Sequence, residues 1–431
     1  MTDGLTWPAI VRLGLVQSAI GATVALTTAT LNRVMVVEYG LAATIPAALV
    51  AFHYAVQLSR ARWGHGSDGG ARRTPWIIGG MAVLASGATL AAFATTRMHT
   101  PAIGIALAVV AFAMIGVGVG AAGTSLLALL AASVAPARRS AAAAITWIMM
   151  IVGIVVSTGI AGQLLDPFSP ARLLGVAGGV AAVAFVVAVV GVIGIERPRL
   201  DAGADRPDFA AAVHDIWADT RTRRFTVFVF VSMLAYSAQE LILEPFAGLL
   251  FGFTPGQSTS LASVQHGGVL IGMVGVGIAG NAFSGAAGWM RGWTVAGCLG
   301  SAAALAGLAC AAVFAPDWPL RPTVFLLGLA NGVFAVAAIG SMMGLAGGGG
   351  PGREGIRMGV WGAAQAIAFA CGGFAGAAGV DVGRRLLGAT PPAFVAVFAL
   401  EAAVFITAAV LALRIDAASR TTQFTNLATE G

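Results

Sequence analysis

Twelve apolar runs, each close to the length that crosses a bilayer, divide this sequence almost from end to end. They cover residues 10–30, 44–59, 75–96, 101–132, 140–163 and 171–195, then 225–251, 260–283, 292–315, 322–346, 356–379 and 391–414. A hydrocarbon core of ~30 Å takes about 20 apolar residues in a helix. Lipid offers the backbone no hydrogen bonds, so runs this long satisfy their own amides only as helices. Short alternating strands, the mark of a barrel, are absent from the sequence pattern. The expectation is an all-α integral membrane protein.

Charge confirms that no water-facing surface is intended. Only 10% of the 431 residues are charged and 58% are hydrophobic, where a soluble domain carries about 25% charged residues. All 24 basic residues are arginine, and they are scattered through the loops without a basic face, so the net charge of +6 is no nucleic-acid footprint. With both termini placed inside, eighteen arginines fall on the cytoplasmic side and six on the other. That bias orients the chain and fits an even number of spans. The first residues lack the basic start and cleavage site of a signal peptide, so the first run is expected to remain as a helix.

The densest arginine loop is Arg60–Pro75, which carries Arg60, Arg62, Arg72 and Arg73. Its spacing Gly64-x3-Asp68-x3-Arg72-Arg73 resembles the loop between the second and third helices of major facilitator superfamily transporters, with Ala71 where that pattern has a further glycine. The resemblance implies a 12-helix fold of two pseudo-symmetric six-helix bundles. The expected organisation is an N-terminal bundle (1–195), a cytoplasmic linker (196–224), a C-terminal bundle (225–414) and a cytoplasmic tail (415–431). In the linker, Phe209, Val213, Ile216 and Trp217 fall on one helical face, as in a helix lying in the interface. Its pairs Asp201/Asp205 and Asp215/Asp219 have the spacing of magnesium-holding carboxylates, but they sit in a charged linker and not at a buried cavity.

A faint repeat relates the halves. At an offset of 213, His53 matches His266, Gly64 matches Gly277 and Asp68 matches Asn281; at 212, Leu31-Asn32 matches Leu243-Glu244 and Gly40 matches Gly252. Two inverted or parallel six-helix repeats would produce such matches. Small residues crowd the fourth and eleventh runs, at Gly116, Gly118, Gly120 and Gly123 and at Gly372, Gly373 and Gly376. They let helix backbones approach closely in lipid.

Ionisable groups inside a bilayer are costly and therefore few. The buried candidates are Arg33 and Glu38 at the outer end of the first helix, His53 and Gln57 in the second, Glu240 and Glu244 in the seventh, His266 in the eighth and Glu401 in the twelfth. Arg33 either pairs with Glu244 or Glu240 to close the outer side, or reaches headgroup water. Each histidine offers one lone-pair nitrogen, which suits a proton relay, the axial ligation of a magnesium tetrapyrrole, or plain hydrogen-bonded filling. Glu240 and Glu244, at i and i+4, share a face and would serve proton coupling. Asp68 with Arg72 and Arg73 reads as a latch: the carboxylate at a helix N-terminus of the other half, the arginines on headgroups or loop acids. Cys298, Cys310 and Cys371 have no paired spacing and read as small apolar filler. Phosphate-binding glycine loops, nucleophile elbows and zinc spacings are missing, so neither a bound nucleotide nor a directly bound metal is expected, and no enzyme of those classes.

Four segments carry a closer likeness. T-L-N-R-V-M-V-V-E at Thr30–Glu38, H-Y-A-V-Q at His53–Gln57, the stretch Gly66–Met81 and Q-E-L-I-L-E-P-F-A-G at Gln239–Gly248 resemble the PucC/LhaA group. These are bacteriochlorophyll-delivery proteins of phototrophic bacteria, and the chain looks nearest to the branch once labelled a bacteriochlorophyll synthase subunit. Glu240 stands where much of the group has Asp, so a carboxylate is kept. The resemblance implies a carrier in the bacterial inner (intracytoplasmic) membrane. It implies bacteriochlorophyll a or a precursor as cargo, and light-harvesting apoproteins or a photosynthetic complex, with bacteriochlorophyll synthase, as partners. Pigment magnesium needs one axial donor, for which His53, His266, Gln57, Asn32 or a water qualifies. The other reading is a proton-coupled exporter of a small organic substrate.

Overall fold

The computed structural model describes residues 5–59, 72–135, 138–196, 220–282, 289–347 and 354–415. The loop residues Gly64 and Asp68 and the expected interfacial helix around Phe209 and Trp217 lie outside them.

Twelve helices are described: α1 (Trp7–Glu38), α2 (Thr44–Gln57), α3 (Thr74–Thr96), α4 (Pro101–Ser133), α5 (Arg139–Leu164), α6 (Pro170–Val192), α7 (Thr220–Phe251), α8 (Pro255–Ala282), α9 (Trp289–Phe314), α10 (Leu320–Gly347), α11 (Glu354–Leu387) and α12 (Thr390–Ile415). Eleven are long and apolar enough to span a membrane; α2 is described over 14 residues. Prolines at the first turns of α1, α3, α4 and α6 cost nothing there, because a first-turn amide has no intrahelical acceptor. The chain enters α1 and leaves α12 at the same end of the bundle, here the terminal face; the opposite end is the distal face.

Neighbour relations repeat after six helices. α1 packs on α5 and α6, α3 on α4 and α6, and α2 on α4; α7 packs on α11 and α12, α9 on α10 and α12, and α8 on α10. The halves meet where α2 lies on α11 and α5 on α8, which is again one contact and its symmetry mate. Two pseudo-symmetric six-helix bundles follow. The repeat pair Gly40 and Gly252 supports this locally: each ends the first helix of its bundle with φ near +66°, a left-handed conformation that favours glycine.

Small residues set the helix spacing. A Cβ at Gly80 would lie 2.6 Å from the backbone nitrogen of Ala122, and one at Gly118 2.6 Å from that of Leu84, so α3 and α4 touch backbone to backbone. Gly116 leaves room for the His53 carbonyl of α2, and Gly376 for the Ala238 carbonyl of α7. Large side chains such as Val183, Val186 and Val190 of α6 point outward, as a lipid-facing surface requires. Arg12, inside α1, donates to the Val190 and Ile193 carbonyls at the end of α6 (2.8 and 2.7 Å). Its charge thus meets a helix C-terminus.

Candidate functional site

The interior between the bundles begins with an irregularity in α1. Residues Leu26–Thr30 and Val34–Glu38 form π-helical turns on either side of Leu31–Arg33. Such turns concentrate at functional sites because they re-aim the side chains they flank. Here they direct Thr30, Asn32 and Arg33 at the C-terminal bundle. Thr30 shares a hydrogen bond with Thr259 of α8 (2.9 Å). Asn32 Nδ2 donates to the Leu241 carbonyl of α7 (2.5 Å). That carbonyl would ordinarily accept from residue 245, but Pro245 has no N–H, so Asn32 supplies the donor that the proline removed.

Arg33 is 2% exposed. It forms an ion pair with Glu38 and donates to the Phe253 carbonyl just past α7 (2.6 Å). The close ion pair of Arg33 is therefore with Glu38, five residues along its own helix, while Glu244, one of the two expected partners, lies within reach of its charge without a direct bond. Arg33 also ties the two bundles through Phe253. Its guanidinium fits because Gly248 has no side chain: a Cβ there would stand 3.1 Å from Nη2. Glu244, one turn before Gly248, is 2% exposed and neither carboxyl oxygen has a hydrogen-bond partner.

The two repeat histidines differ. His53 is fully buried; its Nδ1 meets the Val50 carbonyl (2.9 Å) and its Nε2 lies 2.7 Å from Gln57 Nε2. With Nδ1 as donor to the carbonyl, Nε2 carries the lone pair and Gln57 occupies it. His53 Nε2 is thus engaged by Gln57, which counts against His53 as a ready axial ligand, while this bond does not involve the Gln57 amide oxygen. His266 is half-buried, and its Nδ1 likewise meets a backbone carbonyl, that of Ala262 (2.9 Å). Position i+4 from it is Leu270, so no side chain of its own helix takes Nε2. His266 shares a helical stripe with Thr259 and Ser263, which bond to Thr30 of α1 and to the Val155 carbonyl of α5. Its lone-pair nitrogen is thereby placed on the face of α8 turned toward the other bundle. Apolar side chains of the same region, Trp147, Ile151 and Ile154 of α5 with Val269 and Met273 of α8, form one cluster.

Aromatic rings carry the contact across α2, α11 and α7: Tyr54 to Phe369 (5.6 Å) and Phe369 to Tyr236 (5.8 Å). The Tyr236 hydroxyl and the carboxyl of Glu240 stand one turn apart on α7. Glu240 is half-buried and Glu244 buried.

The sequence reading passed over two carboxylates that join elements. Asp381 of α11 accepts from the backbone amides of Ala43 (3.1 Å) and Thr44 (2.8 Å), capping α2 from the other bundle at the distal face. Glu196 accepts from the Arg73 amide and from the amide and hydroxyl of Thr74 (2.7 to 2.8 Å), capping α3. Arg72 is exposed; Arg73 is buried and donates to the Ala128 carbonyl of α4 (3.0 Å). These bonds of Arg73 run within the N-terminal bundle, and one of them meets a loop acid, Glu196; Asp68, the other half of the latch reading, lies outside the described residues. A lone acid inside an apolar run was the available signal for Asp381.

The family model described as "PUCC protein" matches residues 30–420. The "Bacteriochlorophyll synthase 44.5 kDa chain" of Rhodobacter capsulatus is 51% identical over 418 residues, which span 96% of each chain. "Protein PucC" of Cereibacter sphaeroides is 28% identical over 93% of this chain and 90% of its own. Among solved structures, the nucleoside transporter NupG superposes with a TM-score of 0.70 over 94% of this chain and 98% of its own, at 12% identity. At that identity the likeness shows the fold alone, the two-bundle transporter architecture.

Proposed function

This chain belongs to the PucC protein family, and from that premise we propose that it carries (bacterio)chlorophyll within the membrane and hands it to light-harvesting apoproteins, in contact with the pigment-synthesising machinery. The observation that bears most weight is His266 Nε2, on the face of α8 turned toward the other bundle and beside an apolar cluster between the bundles. A magnesium tetrapyrrole is a flat apolar body needing one neutral nitrogen or oxygen donor, and an imidazole whose other nitrogen bonds a carbonyl is oriented for that task. His266 would hold the metal of bacteriochlorophyll a or a precursor. The partly buried ring of Tyr236 and the carboxyl of Glu240 would meet its polar rim. The chain's own residues bind and orient; no side-chain set for bond-making chemistry is invoked, and the protein acts as a carrier, not a catalyst. The arginine distribution supports an orientation with both termini cytoplasmic, and the family membership supports the bacterial inner (intracytoplasmic) membrane as its location.

One observation favours a second reading. Glu244 is a buried carboxyl without a hydrogen-bond partner on the helix that faces α1, as a proton-coupled exporter of a small organic substrate would use. Absorption of the protein purified from a phototroph separates the two. Stoichiometric pigment supports the carrier; colourless protein that moves protons with a substrate in vesicles supports the exporter and refutes the carrier.

A further inference from the structure

Away from the cleft, the core of the C-terminal bundle holds a second polar cluster. Phe246 of α7 packs on Phe394 and Phe398 of α12, with ring centroids 5.0 and 5.1 Å apart. The two helices run antiparallel. Seven residues back from Phe246 is Gln239, and seven on from Phe394 is Glu401. Seven residues is close to two turns, about 10.5 Å of rise, so Gln239 and Glu401 stand on the facing stripes at one level. A second contact fixes a third member. Phe334 of α10 packs on Phe405 of α12 (6.2 Å); one turn earlier on these parallel helices come Asn331 and Glu401. Asn331 Oδ1 accepts from Ser301 of α9 (2.8 Å).

These side chains are closed off from the surface: Gln239 and Asn331 are 0% exposed and Glu401 is 4% exposed. Yet both oxygens of Glu401, both amide atoms of Gln239 and Nδ2 of Asn331 have no hydrogen-bond partner. Buried polar atoms gathered without partners mark a place where something small is missing. Its charge is constrained. The arginines of these helices lie near their ends in sequence, at positions 221, 223 and 224 of α7, 291 of α9, 321 of α10, 357, 384 and 385 of α11 and 414 of α12. Asp381 of α11 is engaged at the distal face, Cys298 of α9 is uncharged, and Glu240 and Glu244 lie on other faces of α7. A carboxylate at mid-depth with no cation beside it among the described residues is strongly disfavoured.

We propose that Glu401 and Gln239, at the level of Asn331, form a monovalent-cation site inside the C-terminal bundle, taking a proton or a sodium ion. The site is separate from the cleft and independent of the pigment reading. Either ion cancels the carboxylate charge. The carboxylate and the Gln239 amide oxygen suit a hard cation, and a protonated carboxyl donates to that amide oxygen. Asn331 Nδ2, an N–H donor, serves an acceptor beside the cation and not the cation itself.

The test uses the purified full-length protein in detergent, treated with dicyclohexylcarbodiimide, which reacts with protonated carboxyl groups, and read by peptide mass spectrometry at Glu401. A proton site predicts labelling at acid pH that falls as pH rises, whatever the salt. A sodium site predicts labelling that falls at fixed pH when sodium chloride replaces choline chloride. In either case Gln239→Leu should move the half-labelling point by about tenfold in ion concentration, one pKa unit. Absence of labelling at every pH, labelling that ignores both pH and sodium, or a half-labelling point unmoved by Gln239→Leu overturns the site.

Discussion

The bond from Asn32 to Leu241 can be tested as a coupled pair, because its cause is a second residue. Pro245 withholds the N–H that would satisfy the Leu241 carbonyl, and Asn32 Nδ2 fills that place at 2.5 Å. Asn32→Ala should leave a buried acceptor unpaired. That penalty is ~1–3 kcal/mol in general, while interhelical bonds in lipid average ~0.6 kcal/mol with a ceiling near 1.7. A cost of about 1–1.5 kcal/mol is expected, plus a small cavity contribution. In a Pro245→Ala background, residue 245 regains its N–H and the carbonyl closes its own helical bond, so Asn32→Ala should cost only the cavity. The coupling energy is then about 1 kcal/mol, with the cavity contribution cancelling between backgrounds. Equilibrium unfolding in mixed dodecylmaltoside and sodium dodecyl sulfate micelles, followed by helical circular dichroism, measures all four proteins. Equal losses in the two backgrounds, within ~0.3 kcal/mol, would refute the claim that the proline creates the need for the asparagine.

Other substitutions probe the remaining joints. Gly248→Val places atoms where the Arg33 guanidinium sits (3.1 Å from Nη2 to an added Cβ); a loss of about 1–3 kcal/mol is expected in the same assay. Asp381→Ala strips the cap from α2 and one tie between the bundles. It should cost about 1 kcal/mol and raise maleimide reactivity of a cysteine placed at Ala43; unchanged reactivity contradicts the tie. Glu196→Ala removes the acceptor for the first amides of α3 and the Thr74 hydroxyl; about 1–2 kcal/mol should be lost, with Glu196→Gln recovering part.

Hydropathy alone made the twelve helices legible, because lipid leaves a long apolar run no other structure. The repeat was legible where glycine had to take a left-handed turn, at Gly40 and Gly252, and at the two histidines. What separates those histidines was also in the sequence: Gln57 stands four residues after His53 and Leu270 four after His266. The partner of Arg33 was not readable. In an α-helix, residues five apart point about 140° away from each other. Only the π turn Val34–Glu38, which closes i to i+5, brings Glu38 under Arg33, and no residue pattern announces such a turn. Pro245 announces a vacant carbonyl without saying which helix supplies the donor. Asp381 and Glu196 act on backbone amides of helices distant in sequence, and an amide N-terminus leaves no side-chain signal to match.

Titration of pigment-free purified protein with bacteriochlorophyll a in detergent directly tests the proposal that His266 holds a pigment between the bundles. A shifted absorption band that saturates at one pigment per chain, is retained by His53→Leu and is lost in His266→Leu is the predicted result. A linear, unsaturable uptake equal to that of empty micelles, or the same saturation in the His266→Leu protein, would contradict it.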